Sequence, residues 1–185
     1  MRHARHRTRE ETLIALKALV MAAAIGILAC PALAQQQPAA PATAAVPAAP
    51  PLSYGPPISF EAAKKVMAAA EAEAMKNNLQ MVIAILDSGG HLVMLHRMDN
   101  AQYGSIRIAQ GKAQTAIDFR RPSKVFEDRL ANVAGIGSLS YGGVILAEGG
   151  LPIVVDGKVV GAIGVSGGLS PQDGQVAKAG ADALK

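Results

Sequence analysis

The side chains in this sequence best suited to chemistry are few. They are His91 and His96, Lys112 and Thr115 one helical turn apart, and Arg97 close to Asp99. A single imidazole can hold haem iron axially, and a lone histidine on a strand is equally an ordinary surface or interface residue. On a strand, His91 and His96 would face opposite sides, so they cannot share one metal within a subunit. Met94 and Met98 beside His96 read as apolar filling rather than as iron ligands. A lysine stem carrying an ammonium suits a carboxylate such as a haem propionate. At this spacing Lys112 serves equally as part of a solvated helix face. Arg97 and Asp99 are near enough to pair around a turn.

Two further patterns point away from catalysis. Gly164-Val165-Ser166-Gly167-Gly168 matches the G-x-S-x-G nucleophile elbow. That elbow needs a histidine base later in the chain, and none follows His96. The pattern reads better as a strand ending in small residues where backbone packs closely. The same glycines precede a helix start, where free N–H groups favour an anion, but neither Walker nor dinucleotide spacing is present. No catalytic residue is assigned.

These residues need elements to place them. Ser59 can cap a helix with Phe60, Ala63, Met67, Ala70 and Ala74 on its buried face, ended by Asn77-Asn78. Met81 to Leu86 is apolar throughout, as in a strand covered on both faces. Asp87-Ser88-Gly89-Gly90 is a turn, and His91 to Arg97 returns as the second strand of a hairpin. His96 would share a face with Leu92, Met94 and Met98. A helix follows with Ile106, Ala109, Ala113 and Ile117 as its core stripe and Ile108, Lys112, Thr115 and Phe119 beside it. Pro122 stops it, Ser123 caps a short helix ending near Leu130, and Ala131 to Tyr141 reads as a loop. Strands are expected at Gly143 to Ala147, Pro152 to Val155 and Lys158 to Val165, the last two joined at Asp156-Gly157. Ser170-Pro171-Gln172-Asp173 opens the final helix with a capping hydroxyl. Hairpins with two-sided apolar strands require helices on both faces, which gives a three-layer α/β/α sandwich of the α+β class.

Composition bounds the rest. The formal net charge is +4, most of it from Arg2, Arg5, Arg7, Arg9 and Lys17. The remainder is nearly neutral and poor in aromatics, without the footprint of a nucleic-acid binder. The basic start, the apolar run from Ala18 to Ala29 and Ala32-Leu33-Ala34 read as a signal peptide, residues 1–34, cut after Ala34. The run is short for a membrane span, so none is expected after processing. Cys30 is the sole cysteine, in a loose lipobox context, and that cut would remove it. Residues 35–57 are rich in alanine and proline and read as a disordered tether. The folded domain is then 58–185, exported to the periplasm or secreted.

Within that domain the motifs form a set. They are Asp87-Ser88-Gly89-Gly90-His91-Leu92-Val93, Arg97-Met98-Asp99-Asn100-Ala101, Lys112-Ala113-Gln114-Thr115-Ala116 and Gly149-Gly150-Leu151-Pro152-Ile153. Gly161-Ala162-Ile163-Gly164-Val165-Ser166-Gly167-Gly168 with Gln172-Asp173 completes them. In this order and spacing they resemble the GlcG/HbpS-like haem-binding family. The resemblance implies a profilin-like sandwich with a five-stranded antiparallel sheet, assembling as dimers and often octamers. It implies haem binding in some members, with haem degradation or redox sensing, and accessory roles in glycolate metabolism or alongside cobalamin enzymes in others. Thr115 falls at the family position associated with haem iron, and His91 follows the family glycines. His96 takes no role from the resemblance.

The leading reading is an exported protein that binds haem or a related tetrapyrrole, as a homo-oligomer. Thr115 or His91 would lie near the iron, and Lys112 or Arg97 near a propionate, in an apolar cleft beside the hairpin. The alternatives are a haem-degrading enzyme using an external reductant, and a non-catalytic oligomeric scaffold.

Overall fold

The computed structural model describes residues 52–130 and 143–185. The elements are β1 (Ser53–Tyr54), α1 (Phe60–Lys76), β2 (Val82–Asp87), β3 (Leu92–Arg97), α2 (Ser105–Phe119) and α3 (Lys124–Leu130). They are followed by β4 (Gly150–Val155), β5 (Lys158–Ser166) and α4 (Ser170–Asp182). β5 pairs antiparallel with β2 and with β4, and β2 pairs antiparallel with β3. Alternate residues of the central strands enter different layers. Ile83, Ile85, Ile163 and Val165 pack with α1 and α4, through Val66, Met67, Ala70, Val176 and Ala177. Val82, Ala84, Leu86 and Ala162 face α2 through Ala109, Ala113, Ala116 and Ile117. This is the expected three-layer sandwich, and full burial of β2 is why its sequence carries no polar alternation.

The sheet has five strands, but it is mixed. Gly143 to Ala147 does not form a strand. Side chains satisfy its backbone instead: Ile145 N donates to Thr115 Oγ1 at 2.9 Å, and Ser123 Oγ donates to the carbonyl of Ala147 at 2.6 Å. The fifth strand is β1, parallel to β5 in the register Ser53↔Lys158 and Tyr54↔Val159. The tether expectation for residues 52–57 is therefore corrected. Tyr54 donates its hydroxyl to the carbonyl of Ile117 at 2.8 Å, and Gly55 N donates to Val159 O at 2.8 Å. The loop expected at Ala131 to Tyr141 lies outside the described residues, as do the signal peptide and residues 35–51 of the tether.

Local expectations hold where short-range chemistry decides them. Ser59 caps α1, its Oγ accepting from Ala62 N at 3.2 Å. Val66 joins the buried stripe, whereas Phe60 at the first helical position is 58 % exposed. Ser123 does not cap α3 with its hydroxyl, which brackets Ala147 and Gly150 instead. The N-cap of α4 is Leu169 rather than Ser170, and Gln172 Oε1 accepts from Leu169 N at 2.8 Å. At Gly164, a Cβ would sit 2.0 Å from the carbonyl of Ala109 and 2.6 Å from Ala113 N. Helix α2 thus lies directly on β5, and Ser166 next to this contact is buried with its Oγ donating to Ser105 Oγ at 3.1 Å. The nucleophile-elbow spacing is a packing feature. No helix among the described residues is long and apolar enough to cross a membrane.

Candidate functional site

The hairpin tip is built around Asp87. Its Oδ1 accepts from Gly89 N at 2.8 Å and from His91 N at 2.9 Å, closing an Asx-type turn. Gly90 takes φ +83°, which favours glycine, and its N donates to the Asp87 carbonyl at 3.0 Å. The turn folds His91 back so that Nδ1 lies 3.4 Å from Asp87 Oδ1. Partial burial pushes the Asp87 carboxyl up, but the N–H groups of His91 and Gly89 and the adjacent imidazole outweigh it. The net position is below the ordinary carboxylate value. The result is an imidazole 83 % exposed at its side chain, with a carboxylate oxygen 3.4 Å from Nδ1. A carboxylate behind one ring nitrogen helps to orient the ring.

His96 is arranged in the same way on another element. Its Nδ1 contacts Glu71 Oε1 of α1, and its side chain is 51 % exposed. A bulge between Ile85 and Leu86 leaves Val93 as the extra residue of β3, so Leu92 pairs with Leu86 and Met94 with Ile85. Leu92 therefore leaves the face it was expected to share with Met94 and His96.

Thr115 and Lys112 do not form a solvent-facing stripe. Thr115 is 1 % exposed. Its hydroxyl donates to the Gly111 carbonyl at 2.9 Å and accepts from Ile145 N at 2.9 Å. It joins α2 to the segment ahead of β4. Lys112 is 2 % exposed and its Nζ lies 2.6 Å from Asp173 Oδ2. It is neither a solvated surface lysine nor a free cation. Asp173 also accepts from Gly168 N at 2.9 Å, so the anion at the start of α4 is the chain's own carboxylate. Burial pushes that carboxyl up from its ordinary value, against the pull of the Lys112 ammonium and the Gly168 N–H.

Arg97 lies at the far end of β3, about 20 Å of strand from His91 at roughly 3.3 Å per residue. Its Nη1 donates to the carbonyl of Ala101 at 3.0 Å and its guanidinium rests 4.9 Å from the Tyr103 ring centre, rather than on Asp99. The hairpin tip does approach α2 near Thr115: a Cβ on Gly90 would lie 2.9 Å from Gln114 Nε2. Thus the turn before His91 meets Gln114 of α2, Thr115 is buried against Gly111 and Ile145, Lys112 points into the core, and Arg97 is elsewhere. Two clefts formed by the described residues are lined by none of His91, Thr115, Lys112 and Arg97.

Asp87 as the orienting carboxylate was read only as a turn former. Its position four residues before His91 was a usable signal. Asp173 as the partner of Lys112 had none, since the two are 61 residues apart.

Comparison with known proteins follows this geometry. Residues 58–182 match the family described as haem degrading protein HbpS-like. Protein GlcG of Escherichia coli (strain K12) is 42 % identical over 108 residues, covering 58 % of this chain and 80 % of GlcG. An HbpS double mutant from Streptomyces reticuli superposes with TM-score 0.64 at 32 % identity, covering 77 % of this chain and 99 % of that one. A PduOC:haem complex superposes with TM-score 0.63 at 28 % identity, covering 70 % and 96 %.

Proposed function

This chain belongs to the HbpS-like family, and from that premise we propose that it binds haem with His91 as the axial iron ligand. The observation that carries the reading is the His91 side chain, 83 % exposed, with Asp87 Oδ1 3.4 Å from its Nδ1. Its donor chemistry fits haem, which needs one imidazole and an apolar bed rather than a closed cage of ligands. Leu92 beside it, 51 % exposed, offers apolar contact. Similarity to a PduOC:haem complex over nearly all of that chain supports haem binding, and the choice of His91 rests on its exposure alone. Bound haem would supply the redox chemistry. Asp87, with Oδ1 3.4 Å from Nδ1, would help to orient the imidazole. Thr115 would anchor the neighbouring segment through Ile145 N.

Haemin titration tests this. Wild type is expected to give a saturable Soret shift of imidazole type. His91→Ala should remove or move it, while Thr115→Ala retains the imidazole signature. An unchanged titration for His91→Ala would refute the assignment. The family description favours a second reading, turnover of bound haem. Incubating the complex with ascorbate would support it if a defined tetrapyrrole product replaced the Soret band; bleaching without product would count against it. We further propose export, on the basic and apolar N-terminal pattern, and homo-oligomeric assembly. N-terminal sequencing of the exported protein should begin at Gln35, and light scattering should give a mass above one copy.

A further inference from the structure

The far edge of the sheet carries a cleft that the haem reading does not use. It lies between the end of α2, strand β4 and the end of α4, with a volume of about 370 Å³. That is within the range of small-molecule sites, roughly 300–1,000 Å³. Its floor is apolar: Leu151, Pro152 and Val154 of β4, with Ala181 of α4. β4 pairs only with β5 among the described strands. Proline at position 152 removes one edge donor, which disfavours pairing with a further strand.

The rim has the opposite character. Arg120, Arg121, Lys178 and Lys185 line the cleft together with Asp182, which Lys178 and Lys185 contact. Asp182 is held below the ordinary carboxylate value by hydrogen bonds from Lys178 and Lys185, so it stays ionised without balancing the rim. Arg120 donates Nη1 to the Leu52 carbonyl at 3.0 Å, with its guanidinium 5.0 Å from the Tyr54 ring centre. This posture leaves its buried Nε–H without an acceptor among the described residues. An apolar floor under a cationic rim calls for a ligand with an apolar body and an anionic head.

We propose that this cleft binds an organic monocarboxylate with an apolar tail, at a site separate from His91. The sheet order separates the two places: His91 sits in the turn entering β3, and the cleft lies along β4, with β5 and β2 between these strands. A second copy of the chain is a poor occupant. A two-fold contact would set the patch against itself, four cations facing four.

Octanoate is the probe, with octanol and acetate as controls, followed by calorimetry on the full folded domain. Octanoate should bind saturably with one site per chain. Octanol, lacking the head, and acetate, lacking the tail, should each bind at least about tenfold more weakly. The double substitution Arg121→Gln with Lys185→Gln should weaken octanoate about five- to tenfold. It should leave the haemin titration and the circular dichroism melt unchanged. High salt should weaken octanoate binding in wild type and less in the double variant. Equal binding of octanoate and octanol, or no binding by a folded protein, overturns the proposal. So does octanoate competing with haemin while the double variant loses the Soret shift, since the cleft would then be the haem site. Loss of the Soret shift in His91→Ala alone, with octanoate binding intact, fails neither claim and separates them.

Discussion

Replacing Lys112 by methionine should be far more damaging than removing a surface lysine, and the loss should depend on pH. Lys112 and Asp173 have side-chain exposures of 2 % and 4 %, with 2.6 Å between Nζ and Oδ2. Removing one member of a buried pair strands the other charge and costs about 3–5 kcal/mol. A domain of this size has about 5–15 kcal/mol in total, so the variant should fold but melt roughly 10–20 °C lower. Burial already raises the Asp173 carboxyl, and Lys112 opposes that rise. Without the ammonium the folded-state value climbs further. A carboxyl raised in the folded state contributes stability that is fully present below its unfolded value. That contribution is lost as pH rises through the folded value. Lys112→Met should therefore lose stability between acid and neutral pH more steeply than wild type, whose Asp173 carboxyl is already raised but less so. Adding Asp173→Asn, which removes the charge but keeps an acceptor for Gly168 N, should restore all but about 1–2 kcal/mol. Urea denaturation followed by circular dichroism from pH 4 to 8 measures each step. A single variant within about 1 kcal/mol of wild type at neutral pH, or one that grows more stable as pH rises, would refute the reasoning.

Gly164→Ala should destabilise by about 1–3 kcal/mol or more, because its methyl would enter the backbone of α2 at Ala109 and Ala113; chemical denaturation measures it, and a neutral result would show that α2 can lift freely. Tyr54→Phe should cost about 0.5–1 kcal/mol through the lost bond to the Ile117 carbonyl. No change in the melting curve would mean that this hydroxyl contributes nothing to the fold. Asp87 has a carboxyl lowered in the folded state, so its contribution is present above the unfolded value and lost as pH falls through the folded one. Asp87→Ala should accordingly have a shallower acid limb in a pH-stability profile than wild type.

Much of the architecture was legible because local rules and burial agreed. Ser59 before a helical stripe, the unbroken apolar run of β2 and the Asp-Gly turn before β5 each use contacts within a few residues. The strand expected at Gly143 to Ala147 failed for the opposite reason. Its composition suits a strand, but Thr115 and Ser123 satisfy backbone groups a ladder would have needed. Ser53–Tyr54, in a proline-rich context without periodicity, gains its place only because β5 extends far enough to pair with it. The bulge in β3 likewise moved Leu92 to the other face, since one extra residue reverses a period of two.

The candidate site divides along the same line. Sequence alone determined the family, the hairpin and the presence of His91 behind a glycine turn, because turn chemistry and motif order are properties of neighbouring residues. Only the tertiary structure decided that Lys112 is bound to Asp173, that Thr115 is an internal clasp, and that the His91 side chain is exposed beside Asp87. Periodicity places a side chain on a helix face, but whether that face meets water, a carboxylate or another strand depends on elements distant in the chain. Burying an ammonium is tolerable only beside its counter-charge, and the 61 residues between the two partners carry no local trace of that pairing.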